Sequence, residues 1–171
     1  MGATRDALTR RLCEDFDRGL PLSPDYVNRP ALMEAAWEER ARQAGAGVLQ
    51  AKGIAPDDKA GRQAHLRDNM RFYSAPVELI FHLPKTAAPG NFLEMGFFIQ
   101  NVMLGLVACG LASCPQYSIA GYADTIRQHL GMGSDRLIVC GLAVGYADET
   151  APVNTFVPPR AALEEYTRWY G

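Results

Sequence analysis

The spacing of hydrophobic positions changes several times along this chain, and each change marks an element. Over residues 4–18, Leu8, Leu12 and Phe16 recur every four residues among Arg and Asp, which predicts an amphipathic helix ended by Gly19. Residues 20–30 hold three prolines and read as a loop. A second helix is predicted over 30–44, with Pro30 in its first turn and Leu32, Ala36, Trp37, Arg40 and Ala41 at helical spacing. The pattern loosens over 45–55. It resumes as a third helix from Pro56-Asp57-Asp58 to Tyr73, with Lys59, Arg62, Arg67 and Asp68 on a solvated side. Over 77–83 the period becomes two: Val77, Leu79, Phe81 and Leu83 face one way, as in a strand. Residues 121–131 enclose a short helix with Tyr122, Ile126 and Leu130 on one face. The near-continuous apolar run 137–145 suits a central strand covered on both sides. A Pro-rich extended loop over 148–159 leads to Arg160 and a last short helix over 161–169.

The stretch that organises the rest is 91–118, NFLEMGFFIQNVMLGLVACGLASCPQYS. Asn91 is placed to cap a helix with Glu94 three residues on, Pro89-Gly90 supply the turn before it, and Gly110 supplies the stop. Apolar residues occupy every side of 92–111, which predicts a helix buried on most faces. Cys114-Pro115-Gln116 then forces extended backbone, because Pro115 lacks an N–H and disfavours helix at Cys114. The N–H groups of Gln116, Tyr117 and Ser118 are left to find partners outside a helix. Helices and strands alternate only in the second half, with too few strands for a doubly wound sheet, so the expected class is α+β.

Composition narrows the function more than it names it. The 171 residues suffice for a single domain, 1–171. A net charge of −2 without a basic stripe gives no reason to expect nucleic acid. Cys13, Cys109, Cys114 and Cys140 form no CxxC pair and no secretory segment precedes them. They read mostly as small core residues in a reduced, cytoplasmic protein. Residues 95–112 reach the lower length limit of a membrane span, but Gln100 and Asn101 fall in the middle and no basic flank follows, so no membrane is expected.

Searches for familiar chemistry return little. There is no GxSxG, no Walker loop and no GxGxxG, and His65, His82 and His129 have no partner at helical spacing, so no metal site is expected. The run 141–145, GLAVG, lies inside a strand and lacks the Lys of a phosphate loop; close strand packing explains it better.

The order of several segments is more informative. GLASCPQ after the long helix, a short helix ending HLGM, then DRLIVCGLAVGYAD, then a Pro-rich loop with Asn154 and an Arg before a final helix, resembles the nitroreductase family of flavoenzymes, and within it the nitrobenzoate-reductase-like branch. The Arg-rich second helix, KGIAPDD and FYSAPVELIF agree, and the likeness is strongest over 72–160. The resemblance implies an α+β fold with an antiparallel or mixed sheet flanked by helices, and a homodimer with the long helix at its interface. It implies FMN in a cleft between subunits, NAD(P)H as reductant, and a nitroaromatic, quinone or similar small molecule as acceptor. Contacts to the flavin ring fall on Pro115, Gln116, Tyr117 and Ser118, and the phosphate contact on Arg160. No side chain need act as a nucleophile, since the flavin carries the redox chemistry. The family's opening Arg-Arg-Ser-x-Arg and Ser-x-x-Asn-x-Gln-Pro-Trp segments have no match here, which predicts a chain short at its N-terminus and a weakened hold on FMN. The alternative is a dimer of the same fold that has lost flavin chemistry and binds a partner or an apolar ligand.

Overall fold

A computed structural model describes residues Met1–Gly171. The elements run α1 (Gly2–Asp17), α2 (Ala35–Ala51), α3 (Lys59–Met70), β1 (Val77–Pro84), α4 (Pro89–Ala108), β2 (Ala112–Gln116), α5 (Ala123–Leu130), β3 (Arg136–Gly145), α6 (Pro152–Thr155) and α7 (Leu163–Tyr166), with tight 3-10 turns at Phe72–Ser74 and Ser118–Tyr122. This is the expected α+β class. The chain forms two compact units, one from Met1–Pro30 and Gln63–Ala147, the other from Ala31–Arg62 and Asp148–Gly171.

The first unit is built on a three-stranded antiparallel sheet in the order β1-β3-β2. The run predicted as a central strand is the central strand: every residue from Leu137 to Val144 is buried. On one face, Leu8, Leu12 and Cys13 of α1 and Ile126 of α5 pack with Ile138 and Ala143. On the other, Leu137, Val139, Cys140, Leu142 and Val144 meet Phe92, Met95, Ile99, Val102, Met103 and Leu106 of α4. Val139 lies beside Cys140 on that second face because the ladder slips. Phe81 opposes Cys140 while His82 opposes Ile138, which leaves Val139 as the extra residue of a bulge. Its carbonyl takes a 2.7 Å hydrogen bond from the Tyr26 hydroxyl, whose ring stands 5.1 Å from that of Phe92.

Two buried charges fasten the helices. The Asp15 carboxylate accepts from the Thr125 hydroxyl at 2.7 Å and pairs with Arg18 and Arg11. Burial works against its ionised form, but the bonds from Thr125 and Arg18 prevail and its pKa lies below the usual value. Arg127 of α5 pairs with Asp25 and Asp124 and donates to the Arg136 carbonyl at 3.1 Å. Asp25 also accepts the Ile138 N–H at 2.8 Å.

The long helix departs from its prediction. No residue of α4 is buried. Its inner stripe covers the sheet, while an outer stripe of Leu93, Phe97, Leu104 and Val107, with Phe98 beside it, is exposed, Phe97 by 62%. Hydropathy reads both stripes as core because it does not distinguish a sheet from a partner as the covering surface. Asn91 is also not the cap. The helix begins at Pro89, and Asn91 in its first turn accepts the Ala88 N–H at 3.0 Å and donates to Glu94 at 3.1 Å. Gly110 does terminate it, at φ +72°. Of the cysteines, Cys13 and Cys140 are core residues, whereas Cys109 and Cys114 are exposed.

In the second unit α2 begins at Ala35, not Pro30, and continues past residue 44 to Ala51. Leu32, 92% exposed, has nothing to pack on that would hold the predicted first turn in place. Gly47 is accommodated in α2 because the Phe156 ring occupies the space of a side chain, 2.2 Å from where a Cβ would stand. Asp58 caps α3 by accepting the Gly61 N–H at 2.8 Å. The last predicted helix shrinks to the four residues of α7, held by a 2.7 Å pair between Arg40 and Glu165.

Candidate functional site

The chain leaves α4 through Gly110 and enters β2, a five-residue edge strand. The extended backbone expected at Cys114-Pro115-Gln116 is a strand: Pro115 and Gln116 lie in the ladder opposite Leu142 and Gly141. A proline is tolerated there because an edge strand has one unpaired side. Tyr117 and Ser118 lie past the last pair, where the chain turns into the 3-10 segment. Their N–H groups donate to no group of the chain, as expected of the first residues of a helical turn. Tyr117 is 55% exposed and Ser118 is also at the surface.

Beneath this turn the structure holds a residue that the sequence did not single out. Asn69 sits at the end of α3. Its main-chain carbonyl accepts the Gln116 side-chain amide at 2.9 Å, and its Oδ1 accepts both the Ser118 hydroxyl at 2.9 Å and the Tyr73 hydroxyl at 2.6 Å. Tyr73 reaches Asn69 from a left-handed turn in which Phe72, Tyr73 and Ser74 have φ of 54°, 50° and 66°. Such a conformation costs about 1–2 kcal/mol per non-glycine residue. The fully buried Phe72 ring, with the Arg5 guanidinium 5.7 Å from its centroid, anchors the turn against that cost. No glycine marks the site, so nothing in the sequence announced it. The same turn explains why α3 stops at Met70 instead of reaching Tyr73.

A carboxyl group lies in the same layer. Gln116 pairs with Gly141, and the Glu78 side chain leans across that glycine: a Cβ on Gly141 would stand 2.0 Å from Glu78 Oε1 and 2.3 Å from Ile119 Cδ1. Both Glu78 oxygens and Gln116 Oε1 are buried without a hydrogen-bond partner. Burial pushes the Glu78 pKa up to about 8, against the opposing charge of Arg5. Glu78 therefore holds its proton at neutral pH and carries no charge. Tyr73, partly exposed above this layer, is likewise pushed up to about 12 by burial, and remains a neutral donor.

Arg160 belongs to the second unit, in the extended segment before α7; it is exposed and pairs with no carboxylate. Of the five predicted positions, Pro115, Gln116, Tyr117 and Ser118 are therefore contiguous in the first unit. Of these, only Tyr117 and Ser118 offer free main-chain donors.

The profile of the nitroreductase family matches residues 26–146, a stretch that contains the whole sheet, α4 and the turn at Tyr117–Ser118. The chain belongs to this family. It is 36% identical over 98% of its length to nitroreductase NfnB of Mycolicibacterium smegmatis, spanning 71% of that protein. It is 32% identical over 88% of its length to 4-nitrobenzoate reductase of Pseudomonas putida, spanning 66% of it. Among solved structures, the FMN- and NADPH-dependent nitroreductase NfnB from sphigopyxis sp. strain HMH superposes with a TM-score of 0.96 at 39% identity, over 100% of this chain and 77% of that one. The FMN-dependent NfnB from Mycobacterium smegmatis, solved in complex with NADPH, gives 0.94 at 35% identity, over 99% and 76%.

Proposed function

We propose that this chain is an FMN-dependent oxidoreductase that draws reducing equivalents from NAD(P)H and delivers them to a nitroaromatic, quinone or similar small acceptor. The observation that carries the reading is the pair of unpartnered N–H groups at the exposed residues Tyr117 and Ser118, inside the stretch that matches the family. A flavin's pyrimidine edge presents acceptors whose negative charge grows as the ring is reduced, and fixed main-chain donors stabilise that charge without reorganising. The flavin, once bound, supplies the hydride chemistry.

In this reading Tyr117 and Ser118 donate to the ring edge. Gln116, held by Asn69, sets the direction in which those donors point, and Pro115 borders the ring from the end of the strand. Arg160, free of any carboxylate, takes the phosphate through its planar fork of donors. The exposed outer stripe of α4 meets a second copy of the chain, as large unpartnered apolar faces on soluble enzymes do. The free state of all four cysteines suits a reducing cytoplasm.

Fluorescence titration tests the proposal: FMN emission should be quenched on adding the purified protein, with saturation at low micromolar concentration or tighter. A protein that stays dimeric but neither binds flavin at tens of micromolar nor oxidises NADH or NADPH would be the non-catalytic form instead.

A further inference from the structure

We propose that Asn69 is the positioning residue of the flavin-facing turn, and that the left-handed turn at Phe72–Ser74 exists to bring the Tyr73 hydroxyl onto it. This rests on the reading of Tyr117 and Ser118 as flavin donors. Three bonds converge on this one residue: Gln116 Nε2 to its carbonyl at 2.9 Å, and the Ser118 and Tyr73 hydroxyls to its Oδ1 at 2.9 Å and 2.6 Å. They tie both sides of Tyr117 to the end of α3, so the residue between them is held although its own N–H has no partner. Asn69 Nδ2 donates to the Leu66 carbonyl at 3.2 Å, which fixes the amide so that Oδ1 faces the two hydroxyls. A backbone held left-handed at three successive non-glycine residues persists only where the surroundings over-determine it, and such strain gathers at functional sites. Here it delivers one hydroxyl to one oxygen. Because Tyr73 keeps its proton well past neutral pH, the latch stays closed over the working range.

The latch fixes where donors stand; it does not touch the reacting atoms. Its loss should therefore appear in flavin affinity and flavin potential as well as in stability. The test uses the purified chain with FMN. Asn69→Leu, which keeps the size and removes the acceptor, should weaken FMN binding about ten-fold and lower the reduction potential of the bound flavin. Asn69→Asp, whose carboxylate still accepts both hydroxyls, should recover most of the lost FMN affinity, while its added negative charge keeps the flavin potential below the parent value. Should Asn69→Leu fail to fold, judged by circular dichroism, the double variant Tyr73→Phe with Ser118→Ala removes the same two bonds and should weaken FMN binding to a similar degree. Variants that bind FMN like the parent at an unchanged potential, with only a lower melting temperature, would overturn the proposal and leave the flavin reading standing. A parent protein that binds no FMN would overturn that reading, and the proposal with it.

Discussion

At the scale of single residues, two groups that sequence reading passed over lie at the candidate site. Glu78 occupies a strand position that looks like a solvent-facing interruption of the alternation, yet its oxygens are buried without partners. Burial raises its pKa from 4.5 to about 8, so the native state holds a proton that the unfolded chain releases across that interval. Stability from this group is therefore full below pH 4.5 and is lost as pH rises through about 8. Urea denaturation of the parent should show a loss on the order of 3 kcal/mol across this window, and Glu78→Gln should flatten the dependence. Parallel curves for the two proteins would mean that water reaches the carboxyl. Asn69 is the other such group, and nothing in NMRFYS, without glycine, signals a left-handed turn.

At the scale of elements, legibility followed the physical source of each signal. β3 was readable because burial on both faces demands an uninterrupted apolar run. β1 was readable because one face dominates its alternation. β2 was readable as extended backbone from Pro115, but not in its pairing, which is imposed by β3 beside it and not by the weak strand propensity of Ala-Ser-Cys-Pro-Gln. The length and C-terminal stop of α4 were legible, whereas the surface covering its outer stripe was not, because hydropathy records that a face is apolar and not what lies on it. The two ends of the second unit were misjudged where helical spacing continued without packing to support it, as at Leu32. The close approach at Gly141 also shapes an element. Gly141→Ala places a methyl group against Glu78 and Ile119, and should destabilise the protein by about 1–3 kcal/mol while disturbing the β2 edge. A melting temperature equal to the parent's would show that Glu78 swings aside at no cost.

At the scale of the whole molecule, the sheet does two things at once. One face carries α1 and α5; the other carries α4 and displays its outer stripe. A charge on that stripe, as in Phe97→Glu, should turn a dimer into a monomer in analytical ultracentrifugation without unfolding it. A parent protein that sediments as a monomer would remove the reason for the stripe. The central claim remains that the chain binds flavin through the main-chain donors just past β2. Hydrogen–deuterium exchange of a peptide covering residues 115–118 tests it most directly. Adding FMN should slow exchange at Tyr117 and Ser118 at least several-fold, and exchange there at the same rate with and without saturating FMN would contradict the account.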